Sequence, residues 1–566
     1  MPPPTTHQPP TTAAKRPAWA DEIALGYESG ACSQFVLHGN VADRFPVGAG
    51  SGTLVDHLGE LLLGRFDVVL TYDVGNGVRV AKGGDAFPAW PHWKQDQTLP
   101  KAPRAAVEWL THFARYAANL ARLGQKPIQV AFVVVGAQLV APATQGYSPA
   151  EIAAVAVLLR DWASDGLLAN HSLVTFLITD TLADLHPLVA ANPRARTVAV
   201  PLPDAAAITA ALAGLARECP AALAPFAGDL AQPGRALAGT TLAAVDALVR
   251  TRQHRNEPLT EKDLGAVKKR LIEAEAGGLI EFIESTRTLD DLAGMDQVKA
   301  WLRQDLALWR QDDLQALPMG YLICGPVGTG KTYCVECLAG EAGVPVVKLK
   351  NFRDKWVGST EGNLEKIFRL VRALGRCYVF VDEADQTLGK RESGGNDGGI
   401  GGRVYAMLAQ EMSDTRNRGK VVWILASSRP DLIEVDLKRP GRVDVKIPLL
   451  PTATEAESWA LIRALCKRRG LDLPAEAPAG ISVPLWLTPG AAEAIAVKAY
   501  RVHRVEGLAP DAALAACLRA WRPPVAAETM RFQIGIAVDE ASDAAFVPEA
   551  FRTTNHQPPT TNHPSS

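Results

Sequence analysis

The residues with the clearest chemistry lie in Gly325-Pro326-Val327-Gly328-Thr329-Gly330-Lys331-Thr332. This segment fits the pattern GxxxxGK[ST], follows the apolar run Tyr321-Leu322-Ile323-Cys324 and opens a helical pattern at Tyr333. Strand, glycine-rich turn and helix in that order let backbone N–H groups converge on phosphate oxygens at the positive end of a helix. The pattern places Lys331 on the β- and γ-phosphates and the Thr332 hydroxyl on Mg²⁺, so the implied ligands are ATP and Mg²⁺. Further along, Cys377-Tyr378-Val379-Phe380-Val381-Asp382-Glu383 is an apolar strand ending in two acids. Such a strand delivers both carboxylates to the C-terminal edge of a sheet, beside the phosphate loop. Asp382 is expected to reach Mg²⁺ through its water shell, and Glu383 to orient and deprotonate an attacking water.

With those residues in place, the sequence from Leu289 to about Tyr500 resembles the AAA+ superfamily and, within it, the AAA family proper. Leu289-Asp290-Asp291-Leu292-Ala293-Gly294 looks like the segment that family lays along the adenine, which implies nucleotide contacts near Asp291 and Gly294. Arg429-Pro430-Asp431 and Lys438-Arg439-Pro440-Gly441-Arg442-Val443-Asp444 match the family's most specific stretch. The resemblance implies that Arg439 and Arg442 are arginine fingers acting on the γ-phosphate held by a neighbouring subunit; a surface salt-bridge pair is the plainer reading. Thr488-Pro489-Gly490-Ala491 looks like the start of the lid helix, with Gly490 and Ala491 at the nucleotide. The chain departs from the family at Ala426-Ser427-Ser428, where an Asn usually positions the water. Ser428 can donate a hydrogen bond but is shorter, which leaves room for slow hydrolysis.

Lys355-Trp356-Val357-Gly358 lies between a strand, 344–349, and a helix opening near Ser359. Family members that thread polypeptides carry an aromatic–hydrophobic–Gly loop there, so Trp356, Val357 and Gly358 are expected in the pore of a ring. An aromatic side chain grips polypeptide by apolar contact without reading sequence. A core Trp is the alternative. A glycine-rich loop over 392–402 suits a second pore-facing segment or a surface insertion.

The elements that must position these groups occur twice. In the first half the strands are Gln34–His38, Phe66–Tyr72, Gln129–Val135 and Ser172–Thr179, separated by helical patterns such as 105–123 and 149–163. Strands alternating with helices imply a parallel sheet covered on both faces. The fold class expected is therefore α/β: two P-loop-type parallel-sheet modules, each followed by a helical lid, with disordered termini. The first module lacks the chemistry. Its strand ending at His38 runs into Gly39-Asn40-Val41-Ala42-Asp43 with no GK[ST], and Val130–Val135 ends in Gly136-Ala137 rather than an acid pair. The order resembles tandem AAA proteins whose first module is degenerate. The expected segments are a disordered tail at 1–19, a degenerate AAA-like module at 20–203 and a helical lid and linker at 204–285. An ATPase domain at 286–451, a helical lid at 452–525, an unassigned extension at 526–553 and a disordered tail at 554–566 complete the chain. Both tails carry His-Gln-Pro-Pro-Thr-Thr, at 7–12 and 556–561; such composition cannot bury enough apolar area to offset chain entropy.

Composition narrows the function classes. Among 566 residues, 47% are hydrophobic and 21% charged, which excludes wholesale disorder. The balance of 59 Lys+Arg against 61 Asp+Glu argues against a nucleic-acid motor, which usually carries a basic excess. No apolar run reaches the ~18 residues of a membrane helix, so no membrane insertion is expected. The N-terminal residues show no apolar signal core, and the eight cysteines are too scattered for a disulfide framework, so a cytoplasmic location is expected. Cys334 and Cys337 form a lone CxxC inside a helical pattern and read as buried thiols. The Ala/Arg/Pro-rich usage points to a high-GC bacterial genome. The leading expectation is an ATP-hydrolysing homo-oligomeric ring, expected to be a hexamer, that remodels or unfolds a protein substrate or works through an adaptor. The alternative is an assembly switch or scaffold with slow turnover.

Overall fold

The structure is a computed structural model that describes residues 16–48, 50–94, 98–144, 148–169, 173–350, 359–388, 400–478 and 481–552. The low-complexity tails, the expected pore loop Trp356-Val357-Gly358 and most of the glycine-rich loop lie outside the described residues. Taken over the described residues, packing separates two compact units: Met1–Ala276 with Arg353–Ala373, and Gly277–Phe352 with Leu374–Ser566.

The first unit is built on β1 (Gln34–Gly39), a small hairpin of β2 (Phe45–Val47) and β3 (Gly50–Gly52), β4 (Val68–Asp73), β5 (Gly77–Lys82), β6 (Val130–Val135), β7 (Leu173–Ile178) and β8 (Ala195–Val200). Six of these form one sheet in the order β5-β4-β6-β7-β1-β8. The continuous apolar runs follow from burial on both faces. Val130, Phe132 and Val134 of β6 face a core with Leu110, Phe113 and Trp162. Ala131 and Val133, one step out of phase, face a second core with Ile23, Leu54 and Leu58. Helices Ala205–Glu218, Leu242–Arg255 and Glu261–Ala276 follow and close on Ile208, Leu212, Val245 and Val267. Helix Ser359–Leu374, through Ala373, groups with this unit: the Glu365 carboxylate accepts the Leu182 N–H at 3.0 Å, and Arg369 lies 3.5 Å from Glu275.

The second unit contains β9 (Ile280–Phe282), β10 (Gly320–Cys324), β11 (Val346–Leu349), β12 (Cys377–Val381), β13 (Val421–Ser427) and β14 (Val445–Pro448), in the order β14-β10-β13-β12-β11-β9. Tyr321, Ile323, Tyr378, Phe380 and Ile424 share a core with helices Asp296–Arg310 and Lys331–Ala342. A helical bundle around Trp459, Ile462, Ile495 and Leu514 comes next in the chain.

The two large sheets are of the expected parallel kind, with one exception at an edge of each. In each, five strands are parallel and one edge strand, β5 or β9, pairs antiparallel. An antiparallel edge needs only one good face and a local or backfolded connection, which a central parallel strand cannot use. Strand β9 falls in residues expected to be linker. The extension left unassigned forms helix Ala527–Glu540, with Met530, Ile534 and Ala537 buried.

Candidate functional site

The site is assembled at the C-terminal ends of β10, β12 and β13. Strand β10 ends at Cys324, and the chain turns at Gly325 with φ +152. A Cβ there would stand 2.0 Å from the Leu449 carbonyl oxygen, so only glycine lets the loop leave the strand. The loop 325–330 leads into helix Lys331–Ala342, whose first N–H groups face the same opening.

The Lys331 ammonium is held inside this cradle. It donates to the carbonyl oxygens of Gly325 at 2.8 Å and Pro326 at 3.0 Å, and to Ser428 Oγ at 2.9 Å. Burial pushes it down to about 8. The loop lysine and Ser428, 97 residues apart in sequence, are therefore direct partners. Thr332 Oγ1 lies 3.3 and 3.4 Å from the two Asp382 carboxylate oxygens. Thr332 and Asp382 thus form an all-oxygen donor set of the hard kind that suits Mg²⁺ beside phosphate. Glu383 is exposed and has φ +46, a left-handed conformation that costs a non-glycine residue about 1 kcal/mol. It stands next to Asp382 at the mouth of the site.

The lid segment also reaches the loop. Thr488 caps helix Pro489–Glu506 by accepting the Ala491 N–H at 3.3 Å, and Gly490 N–H donates to the Gly328 carbonyl at 3.0 Å. Residues 289–291 form a short turn in which Asp291 closes a capping box with Thr288, and Asp291 lies 3.5 Å from Arg468. Gly294 follows with φ +68. Arg439 is 68% exposed and pairs with Asp436 at 3.0 Å, while Arg442 is 21% exposed and pairs with the same carboxylate. The salt-bridge reading thus describes their contacts in the single chain, and Arg439 remains largely open to solvent.

Three features of the site were not anticipated. Ser427, buried at the end of β13, donates to Asp385 at 2.6 Å and accepts the Arg429 N–H at 2.9 Å. Lys348 of β11 contacts Asp382 at 2.7 Å. Helix Ala527–Glu540 lies against the phosphate loop: Gln533 Oε1 accepts the Val327 N–H at 3.3 Å, and Glu540 pairs with Lys438 and, at 2.7 Å, with Lys446. The spacing of Met530, Ile534 and Ala537 is the helical signal that could have identified that extension.

Fold and site together define a phosphate-loop nucleotide-binding protein. Residues 321–450 match the ATPase family associated with various cellular activities (AAA), and residues 6–201 match the N-terminal Rossmann-like domain of AAA+ chaperones. The chain thus carries an AAA ATPase domain preceded by a Rossmann-like domain of the AAA+ chaperone type. It is 30% identical over 247 residues to the peroxisomal ATPase pex6 of Schizosaccharomyces pombe, covering 41% of this chain and 26% of that protein. It is 34% identical over 198 residues to the ATP-dependent zinc metalloprotease FtsH 2 of Symbiobacterium thermophilum, covering 33% and 34%. It is 29% identical over 220 residues to the cell division cycle protein 48 homolog of Archaeoglobus fulgidus, covering 32% and 30%. The matched stretch thus spans about a quarter to a third of the length of these curated relatives. No helix among the described residues is long and apolar enough to cross a membrane.

Proposed function

We propose that the chain is an ATP-hydrolysing ring motor, a homo-hexamer, that remodels or unfolds a protein substrate. The observation that carries this reading is the convergence of Lys331, Ser428, Thr332 and Asp382 from three strand ends on one phosphate loop. ATP and Mg²⁺ supply the scissile phosphoanhydride and the charge that neutralises its oxygens. Lys331 exchanges its loop carbonyls for phosphate oxygens, and Thr332 with Asp382 holds the metal. Ser428 orients Lys331 and the terminal phosphate, and Glu383 takes the proton of the attacking water. Gly325 to Gly330 provide the cradle, with Asp291 and Gly294 at the base and Gly490 and Ala491 closing from the lid.

AAA proteins commonly form homo-oligomeric rings. The exposure of Arg439 supports its use in trans, and Arg442 has to leave Asp436 to join it. An arginine on the transferring phosphoryl group is worth ~10³–10⁵ in rate. The specific ATPase rate should therefore collapse on dilution and in Arg439→Ala; a rate per subunit that survives both would refute the shared site. Trp356→Ala should abolish substrate remodelling while sparing ATPase activity if Trp356, Val357 and Gly358 grip polypeptide. The second reading, an assembly switch with slow turnover, is favoured by the short Ser428 in its contact with Lys331. It predicts tight ATP binding with little turnover. The cytoplasm is the compartment this reading expects, since the eight cysteines are free thiols.

A further inference from the structure

Strand β11 runs beside β12 in parallel, with Lys348 opposite Phe380. Asp382 is two residues beyond Phe380, so its side chain leaves the strand end on the same face. The Lys348 ammonium passes over the Phe380 ring, 5.5 Å from its centre, and ends 2.7 Å from Asp382 Oδ2. The same oxygen lies 3.3 Å from Thr332 Oγ1. The cation on the acid of the metal site is thus Lys348, while Lys331, the lysine of the loop motif, is held by Gly325, Pro326 and Ser428.

We infer that Lys348 is a resident counter-cation for Asp382 and sets how much Mg²⁺ the chain needs to bind nucleotide. The inference rests on the reading of Asp382 as a magnesium acid. Both side chains are about three-quarters buried, at 28% and 24% exposure, so salt screens their attraction weakly. An ammonium and a hydrated divalent cation repel each other at one carboxylate oxygen, and the space beside Thr332 is common to both. Loading the metal therefore displaces the ammonium, and the flexible four-carbon stem of lysine permits the swing. The same pairing holds Asp382 beside Thr332, so Lys348 also fixes where the acid points. Lys348 is a positioning residue that competes with the metal.

The test is binding of a fluorescent ADP to the full chain, with Mg²⁺ titrated at fixed nucleotide and a parallel series in EDTA. Lys348→Met should lower the Mg²⁺ midpoint about three- to thirtyfold, the range expected for one partly buried charged contact. Its nucleotide affinity in EDTA should stay within about twofold of wild type. Lys348→Arg, whose forked guanidinium holds a carboxylate at least as tightly, should keep or raise the midpoint. An unmoved midpoint in Lys348→Met, or an affinity in EDTA that falls, would overturn the inference; the latter would make Lys348 a phosphate contact. If thermal melting shows that the Met variant does not fold, Lys348→Gln serves for the same reading. Wild-type binding indifferent to Mg²⁺ would overturn the role of Asp382 and this inference with it. A magnesium-sensitive wild type with unmoved variants would overturn this inference alone.

Discussion

The first sheet runs β5-β4-β6-β7-β1-β8 and the second β9-β11-β12-β13-β10-β14, so each strand has a counterpart and the antiparallel strand sits on the same edge in both. Gly39 ends β1, and Gly325 follows the equivalent strand, β10. Gly39 has φ +99, and a Cβ there would stand 2.8 Å from the Val200 carbonyl oxygen at the end of β8. Gly325 meets Leu449 just past β14 in the same manner. Beyond that glycine the two units diverge. In the second, the loop opens to Lys331 and Thr332. In the first, Asp43 is buried and accepts the N–H groups of Leu242 and Ala243, each at 2.9 Å, together with the Asn40 amide at 3.0 Å. An internal carboxylate caps a helix N-terminus in the unit that lacks the phosphate motif, satisfying donors of the kind that bind phosphate elsewhere. The acid pair ending β12 has Gly136 and Ala137 as its counterpart after β6. The comparison shows that the sheet is maintained by apolar strands buried on both faces, whereas the chemistry resides in the few residues after each strand.

The largest effect that would sharpen this contrast belongs to Glu383→Gln. It should retain ATP binding while the turnover rate falls by about 10²–10⁴, the usual worth of a general base. Turnover left within a fewfold of wild type would remove Glu383 from that role. Asp43→Ala should leave nucleotide affinity untouched but destabilise the first unit by about 2–3 kcal/mol, because two helix N–H groups and Asn40 lose a charged acceptor. Denaturant unfolding measures that loss, and an unchanged midpoint would show that the internal carboxylate is dispensable.

A pH effect should also separate the units. Burial, and then the charge of Arg369, push His38 at the end of β1 down to about 4. The unfolded imidazole takes its proton near 6.5, so the unfolded state binds more protons between pH 6.5 and 4 and stability falls as pH drops through that window. The stability of wild type minus that of His38→Gln should be flat above pH 7 and decline below 6.5. A constant difference across the range would contradict the assignment. Smallest is Gln533→Ala, which frees the Val327 N–H and should weaken nucleotide binding about two- to fivefold. A larger change in melting temperature than in affinity would mean the helix Ala527–Glu540 only supports the fold.

Central strands could be recognised in the sequence because continuous apolar runs such as Val130–Val135 and Cys377–Val381 require burial on both faces. Edge strands could not. In β8 only Val198 and Val200 are buried, and β9 is three residues long and gains its meaning by pairing with β11. The same distinction holds at the site. The motif residues announce themselves by local spacing, and Ser428 by its place after the fourth strand of the AAA sheet. Lys348 is a single charge in the run Val346-Val347-Lys348-Leu349, and its partner is set by the pairing of β11 with β12. Asp43 likewise acquires its role through residues about two hundred positions away.

The central claim is that one of two like-ordered sheets binds nucleotide and the other is filled by its own side chains. Equilibrium dialysis of the full chain against labelled ADP with Mg²⁺ tests it directly. The account predicts one nucleotide per chain, and none in Lys331→Ala at the same concentration. Two nucleotides per chain, or one that survives Lys331→Ala, would contradict it.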